Sequence, residues 1–305
     1  MKHKWITLVL VGITVLGAAA YGEDPARPGT LNYVEGTAYL QGKLLSSKDI
    51  GSTELKTGQM LTTGDGKAEM LLTPGVFLRI DDNSAIRMVS PRLMQTQIEL
   101  VQGKAAVEVD DIHKDNDLEI IVGGVRTQMI QNGYYEFDAN HPMAMVFKGK
   151  AAVATGNDKY KLIKASQEFA LSDNLSGKPS HFDEAANEGE LYKWSNLRSE
   201  YLAEANNQMA GDYADAGGYA PGWFWDPYGF DYTYIGMGPM WSPFGFGFYP
   251  FGYGGFYGGG FYGGGFYGRG GYGRGGYGGG VGRPGFGGGV AHVGGGMRGG
   301  GGGRR

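Results

Sequence analysis

The chain has 305 residues, 59 of them glycine, no cysteine and a formal net charge of −4. Without cysteine it has no disulfides and no thiolate ligands for a structural zinc, so its stability must come from packing. Thirty-nine of the glycines lie from Gly217 onward, which leaves residues 21–216 as an acidic body of ordinary globular composition and one domain's length. The acidity of this body argues against nucleic acid as its partner.

The amino-terminal residues predict export. Lys2 and Lys4 precede an uncharged apolar run over residues 5–20. This run ends in three alanines, which are small residues of the kind that signal peptidase requires before its cleavage site. We expect residues 1–20 to be a signal peptide and residues 21–31 a linker. A retained anchor is the alternative, although this run is shorter than the about 20 residues that span a bilayer as a helix. The predicted location is the periplasm, or an association with the outer membrane.

A short repeated pattern marks the acidic body. In four stretches a Gly-Lys pair precedes alternating or continuous apolar residues, as a turn precedes a short strand. These stretches are residues 36–45, 66–72, 101–109 and 146–153. A unit that recurs in this way predicts stacked β-structure, in which each copy buries its apolar face on the next.

Strands are predicted along most of the body. Residues 34–45 alternate, and residues 55–66 indicate a strand with two glycine turns. Further short strands are predicted at residues 68–72, 76–80, 85–89, 98–101, 105–109, 118–122, 125–130, 134–137, 143–147 and 151–154. Their regular spacing predicts an all-β sandwich, barrel or solenoid. Residues 156–180 would hold the final strands and a loop.

A single helix is predicted after the strands, over residues 181–210. Asp183 is placed to cap it. Its apolar residues, from Leu191 to Ala205, recur mostly at spacings of three and four. We expect this helix to lie against the edge of the sheet or to lead out of it.

Several motifs of the acidic body resemble those of a known family. The motif Leu55-x-x-Gly-x-x-Leu-x-Thr-Gly64, the run over residues 68–80, Ser84-x-Ile-x-Met88 and two Gly-Lys-Ala-Ala-Val segments at residues 103–107 and 149–153 are similar to the FecR domain family. The resemblance covers residues 32–155. It implies a domain outside the cytoplasmic membrane that folds as a twisted, solenoid-like stack of antiparallel strands.

The sequence differs from the signalling members of that family. FecR regulators carry a cytoplasmic segment that binds a sigma factor and a transmembrane helix before the domain, whereas here a predicted signal peptide and linker precede it. We therefore expect a non-catalytic binding or scaffolding protein of the cell envelope. The alternative is a periplasmic signalling component related to FecR-type sensors of envelope or iron-uptake state.

Candidate chemistry is sparse. The acidic pairs Asp81-Asp82 and Asp110-Asp111 fall between predicted strands, where turn formation explains them better than catalysis or Ca²⁺ binding. The five histidines are widely scattered, and no Gly-x-Ser-x-Gly motif occurs. We therefore predict no catalytic residues, no cofactor and no metal.

Residues 217–250 form an aromatic segment that proline and glycine interrupt too often for a membrane helix. So much exposed aromatic surface would be a liability without a partner. We expect this segment to contact an envelope protein, a polysaccharide or a membrane surface; the alternative is that its side chains fold back onto the β-domain as extra core. The candidate contact residues are Trp223, Trp225, Tyr228, Trp241, Phe244, Phe246 and Tyr249.

Residues 251–305 repeat glycine with Phe, Tyr and Arg. A segment with so much glycine and so few apolar residues cannot form enough contacts to hold one conformation. We therefore predict a disordered tail. Its aromatic and Arg side chains are available for weak contacts, including self-association, and a spacer without a partner is the alternative. If the chain is not exported, Arg269 and Arg274 among tyrosines would instead indicate an Arg-Gly-Gly-type RNA-binding protein.

Overall fold

The computed structural model describes residues 26–156, 159–172, 175–215 and 221–250. The predicted signal peptide (residues 1–20), the first part of the predicted linker and the predicted tail (residues 251–305) lie outside these residues. Within the described part β-strands predominate, so the predicted all-β fold is confirmed.

Among the described residues, fifteen strands make up the β-domain. The first seven are β1 Thr30–Leu40, β2 Lys43–Leu44, β3 Met60–Leu71, β4 Val76–Ile80, β5 Ala85–Arg92, β6 Gln95–Gln102 and β7 Lys104–Val109. The remaining eight are β8 Asp117–Val122, β9 Val125–Met129, β10 Gly133–Asp138, β11 Met143–Lys148, β12 Lys150–Gly156, β13 Lys159–Lys164, β14 Gln167–Ala170 and β15 Ser180–His181. Strand β4 has its predicted bounds, and those of β5 to β12 differ from the prediction by three residues or fewer.

The predicted turn around Gly64 and Gly66 is wrong, because both residues lie inside β3. Gly66 pairs with Gly36 of β1, and the register of the two strands shifts beside this pair. A Cβ on Gly66 would come within 2.3 Å of the Glu35 carbonyl oxygen. Glycine is needed here because two backbones approach closely, as happens at bulges inside strands.

All fifteen strands belong to one sheet. Its order is β13-β12-β9-β8-β6-β5-β3-β4-β7-β10-β11-β14-β15, with β1 paired to β3 and β2 paired to β1. Strands β13 and β14 are far apart in this order, yet Ile163 and Phe169 contribute to the same hydrophobic core. The sheet therefore curls over one core as a sandwich-like stack, and the described strands do not form a closed solenoid.

One pairing departs from the antiparallel pattern that the family resemblance implies. Strands β6 and β8 are parallel, from the pair Gln95 and Asp117 to the pair Leu100 and Val122. The chain leaves β6 through Gly103, whose φ is +74°, and crosses to β7 on another part of the sheet before it returns. Such a crossover is what brings a strand back in the same direction.

Strand β4 shows how the sheet is covered on both faces. Val76, Leu78 and Ile80 point into the main core, while Phe77 and Arg79 point to the opposite face, since side chains alternate along a strand. All five residues are buried. A second layer must therefore lie over the outer face of this part of the sheet.

That second layer begins with two helices, α1 Glu184–Asn187 and α2 Glu190–Asp215. The prediction of one helix capped by Asp183 needs correction: Asp183 caps the short α1, and a break at Gly189, a weak helix former, separates it from α2. The predicted position is also corrected, because α2 packs over the face that includes β4 and β7 and not at the sheet edge. No helix in the described ranges is both long and apolar enough to cross a membrane.

The aromatic segment completes the second layer as two hairpins. They are formed by β16 Gly222–Asp226 with β17 Asp231–Ile235, and by β18 Met240–Trp241 with β19 Gly247–Phe248. Phe77 and Leu71 of the sheet, Leu202 of α2, Tyr232 and Phe248 share one buried cluster. The helix and hairpins thus pack together as an extension that covers the outer face of the sheet.

Candidate functional site

The structure places the seven predicted contact residues in different environments. Trp223 and Trp225 lie on β16 and face inward: the Trp223 ring is 5.1 Å from Phe77, and the Trp225 ring is 5.1 Å from Tyr232, both edge to face. Each side chain is partly buried. Trp223 therefore joins the extension to the sheet, and Trp225 packs within its own hairpin.

Phe244, Phe246 and Tyr249 are also partly buried. The Phe244 ring lies 4.9 Å from Tyr134 of β10 and 5.3 Å from Tyr192 of α2. By contrast, Tyr228 is 77% exposed and Trp241 is 60% exposed. The seven residues do not share one surface, and their contact with a partner remains a prediction that applies best to these two exposed rings.

A network of buried charges lies beneath the extension. Arg79 of β4 donates from Nε to Glu69 of β3 over 2.8 Å, and from Nη1 to Glu108 of β7. All three side chains are fully buried. The strands β3, β4 and β7 are neighbours in the sheet, so the three charges stand side by side on its outer face.

The extension completes this network. Arg198 of α2 donates from Nη2 to Glu69 over 2.9 Å and to Asp231 of β17 over 2.7 Å. Ser199 Oγ donates to Glu108 over 2.6 Å. Because buried charges are tolerated only when paired and hydrogen-bonded, the sheet and the extension depend on each other for these contacts.

A neutral amide reinforces the same junction. Asn32 of β1 donates from Nδ2 to Glu69 over 2.9 Å and to the Tyr232 carbonyl oxygen over 3.1 Å. Its Oδ1 accepts from the Tyr232 backbone N–H over 2.7 Å. The side chain of Asn32 thus satisfies both backbone groups of one residue in the hairpin.

The network shifts the pKa values of its carboxyl groups in opposite directions. Burial would raise the pKa of Glu69, but the guanidinium groups of Arg198 and Arg79 outweigh it and lower the pKa to about 2. Burial raises the pKa of Asp231, and the Arg198 charge opposes this rise only in part. Glu69 is therefore held in its ionised form more firmly than Asp231.

The expectation that turn formation accounts for Asp110 needs correction. Its side chain is fully buried, and neither carboxyl oxygen accepts a hydrogen bond from a donor among the described atoms. Burial and the nearby Glu108 charge raise the pKa of Asp110 well above its usual range. As a neutral acid, Asp110 has a proton to share with Glu108. Asp111, beside it, accepts from the Tyr234 hydroxyl over 2.9 Å.

The pair Asp81 and Asp82 lies in the turn between β4 and β5, as predicted. Asn83 there has a φ of +49°, and Asp81 pairs with Lys67 over 2.9 Å. Among the described residues, no three His, Asp or Glu side chains come together in a way that could hold a metal ion.

A cleft of about 420 Å³ opens to solvent above Arg198. It lies between α2 and the turn of the β16–β17 hairpin, and we call it the tyrosine cleft. Its lining residues are Tyr33, Arg198, Tyr201, Glu204, Ala205, Gln208, Asp226, Tyr228, Gly229 and Asp231. The Arg198 guanidinium lies 4.1 Å from the centre of the Tyr33 ring, so the floor of the cleft is directly connected to the buried network.

Sequence reasoning identified Tyr228 but missed the rest of this site. A local indication was present: Glu69, Arg79 and Glu108 each lie between two apolar residues of a strand, with opposite signs on adjacent strands. Buried charges of this kind require partners. Their partners Arg198 and Asp231 lie far along the chain, and no local pattern identifies them.

These features define a class of protein: a curled β-domain whose outer face is closed by its own carboxyl-terminal extension through a buried ion network. Residues 58–152, which include Glu69, Arg79 and Glu108, match the family model described as FecR protein. The chain therefore contains a FecR domain, and the resemblance seen in the sequence is confirmed.

Two crystal structures of a candidate anti-sigma factor from Parabacteroides distasonis are similar to this chain. Their sequence identities are 11% and 10%, and both have a TM-score of 0.34. Each match covers 45% of this chain and 62% or 63% of the solved chain, so this chain spans less than two thirds of their length. No curated protein sequence matches it.

Proposed function

We propose that this protein is a FecR-type signalling component that acts outside the cytoplasmic membrane by binding, without catalysis. The FecR match over residues 58–152 supports the signalling class. The predicted signal peptide supports the location. Binding of a partner or ligand by the extension would be coupled to the FecR domain, because the extension and the domain share one ion network.

The single observation that carries this proposal is the contact of Arg198 with both Glu69 and Asp231. One guanidinium joins a strand of the FecR domain, the long helix and the hairpin that borders the tyrosine cleft. A change at the cleft that moved Arg198 would alter a buried contact of the FecR domain. Such coupling is what a sensor needs, since two sites must bias a shared element.

The test is deletion of the gene in the native host, followed by RNA sequencing. We expect a small set of genes that share one promoter motif to change, and the full chain supplied from a plasmid to restore them. A complementing chain with Tyr160→Ala, an exposed ring of β13 outside the cleft, serves as the control and should restore them equally.

The second candidate is a scaffolding protein, which the exposed Tyr228 and Trp241 favour as contact residues. In that case the deletion would leave transcription unchanged and would remove one or more proteins from the envelope fraction. That outcome would contradict the signalling role and retain the binding role.

A further inference from the structure

The tyrosine cleft has aromatic walls that face open solvent. Tyr201 of α2 is 54% exposed and Tyr228 of the hairpin turn is 77% exposed, and both line the cleft. Two exposed aromatic rings beside one cavity offer a contact surface for a flat, partly apolar group. The cleft volume of about 420 Å³ lies within the range of small-molecule sites.

The floor of the cleft holds unused hydrogen-bond donors. Arg198 is 5% exposed, and in the described part of the chain only its Nη2 donates hydrogen bonds. Its Nε–H is buried without a partner. A guanidinium has five N–H groups and Arg198 lines the cleft, so this side chain has donors beyond those in its described hydrogen bonds, from which a hydroxyl oxygen could accept and a bound cation could not.

The rim supplies acceptors. Glu204 and Gln208 are exposed on α2, four residues apart and therefore on the same side of the helix. Asp226 on the hairpin also lines the cleft, and its carboxylate accepts from the Tyr228 and Gly229 backbone N–H groups over 2.8 and 3.0 Å. The cleft thus offers donors and acceptors together, with more negative than positive charge.

From this combination we infer that the tyrosine cleft binds a sugar ring that is neutral or carries an amino group. The faces of the sugar ring lie against Tyr201 and Tyr228. Its hydroxyl oxygens accept hydrogen bonds from Arg198, and its hydroxyl or amino groups donate hydrogen bonds to Glu204 and Gln208. The excess of carboxylates disfavours uronic acids and phosphosugars. This inference deepens the proposed binding function and rests on it.

The test is isothermal titration of the full chain with four probes: the hexamer of N-acetylglucosamine, the hexamer of glucosamine, the hexamer of galacturonic acid and a tetralysine peptide. We expect at least one of the first two to bind and the galacturonic acid hexamer not to bind. Tyr201→Ala and Tyr228→Ala should each weaken binding by up to about tenfold, the effect of losing one aromatic contact.

Tyr160→Ala is the matched control, because Tyr160 is 61% exposed on β13 and does not line the cleft. It should leave binding unchanged. If a tyrosine variant also loses stability in a thermal melt, Gln208→Ala tests the same site from the exposed face of α2 and should weaken binding. Failure of both sugar hexamers, or binding of tetralysine without either of them, would overturn the inference.

Loss of affinity in Tyr160→Ala equal to that in Tyr228→Ala would overturn it as well. The gene-deletion experiment is independent of this titration. A changed set of genes together with no sugar binding refutes only the ligand class, whereas sugar binding without any transcriptional change refutes only the signalling role.

Discussion

Arg198 and Glu69 are 129 positions apart in the chain, and a 2.9 Å hydrogen bond joins Nη2 of the guanidinium to Oε1 of the carboxylate. Both side chains are buried, and Glu69 also accepts from Arg79 and Asn32. Removal of one member of such a network leaves the others charged and unpaired. The extension is therefore part of the domain's stability and not an independent appendage.

We expect Arg198→Met to lower the free energy of unfolding by about 3–5 kcal/mol, the range seen when one partner of a buried ion pair is removed. Urea denaturation at neutral pH measures this. Arg87→Met is the control, because Arg87 forms a partly exposed pair with Glu99 over 2.8 Å and its loss should cost less than about 1 kcal/mol. Equal losses in the two variants would contradict the role given to Arg198.

The lowered pKa of Glu69, to about 2, predicts how its contribution depends on pH. The folded pKa lies below the ordinary value of 4.5, so the stabilisation is complete above pH 4.5 and is lost as the pH falls towards 2. The difference in unfolding free energy between the wild type and Glu69→Gln should be constant between about pH 5 and pH 7 and should shrink below pH 4.5. Urea denaturation across this range measures it, and a difference that grows in acid would contradict the assignment.

Glu136 of β10 should behave in the opposite way. Burial raises the pKa of this carboxyl to about 7, although the Tyr134 hydroxyl donates to it over 2.9 Å. Its neutral form therefore stabilises the fold fully below the ordinary value of 4.5, and this stabilisation is lost as the pH rises through 7. We expect the melting temperature of Glu136→Gln to exceed that of the wild type at about pH 8 and to match it more closely at about pH 5. The same difference at both pH values would exclude titration of Glu136 as the cause.

A comparison of two glycines distinguishes the cost of a positive φ from the cost of a steric clash between strands. Gly36 and Gly42 both have positive φ values, +67° and +80°. A Cβ on Gly36 would come within 2.3 Å of the Asp65 carbonyl oxygen, whereas a Cβ on Gly42 would meet nothing within 4 Å. Gly42→Ala should cost about 1–2 kcal/mol of unfolding free energy from conformation alone, and Gly36→Ala should cost clearly more. If the two costs are equal, the close approach of β1 and β3 is not what requires Gly36.

Local patterns were enough to predict most of the strands, although not the continuous β3. The run Val76–Ile80 is apolar except for Arg79 and β-branched at its ends, and such a nearly continuous hydrophobic run is typical of a strand buried on both faces. The Gly-Lys pairs before β7 and β12 mark turns because Gly103 and Gly149 have positive φ values. Both kinds of information lie within a few residues of the element that they define.

The site could not be predicted in the same way. The contacts of Arg198 with Glu69 and of Trp223 with Phe77 depend on how the extension packs on the sheet. The local sequence around Arg198 or Trp223 does not identify the residue that each of them contacts. The parallel pairing of β6 and β8 is likewise a result of the crossover through β7. Such features follow from tertiary packing, which overrides local preference.

The side chain of Asn32 has a consequence for the order in which the parts of this molecule can fold. Its partner Tyr232 follows it by 200 positions, so at about 5–20 residues per second the ribosome needs about 10–40 s to synthesise the intervening chain. During that interval Asn32 lacks its partner in the hairpin, and Glu69 has only its partners Arg79 and Asn32 within the sheet. The outer face of β1 and β3 can therefore reach its native state only when synthesis of the described chain is almost finished.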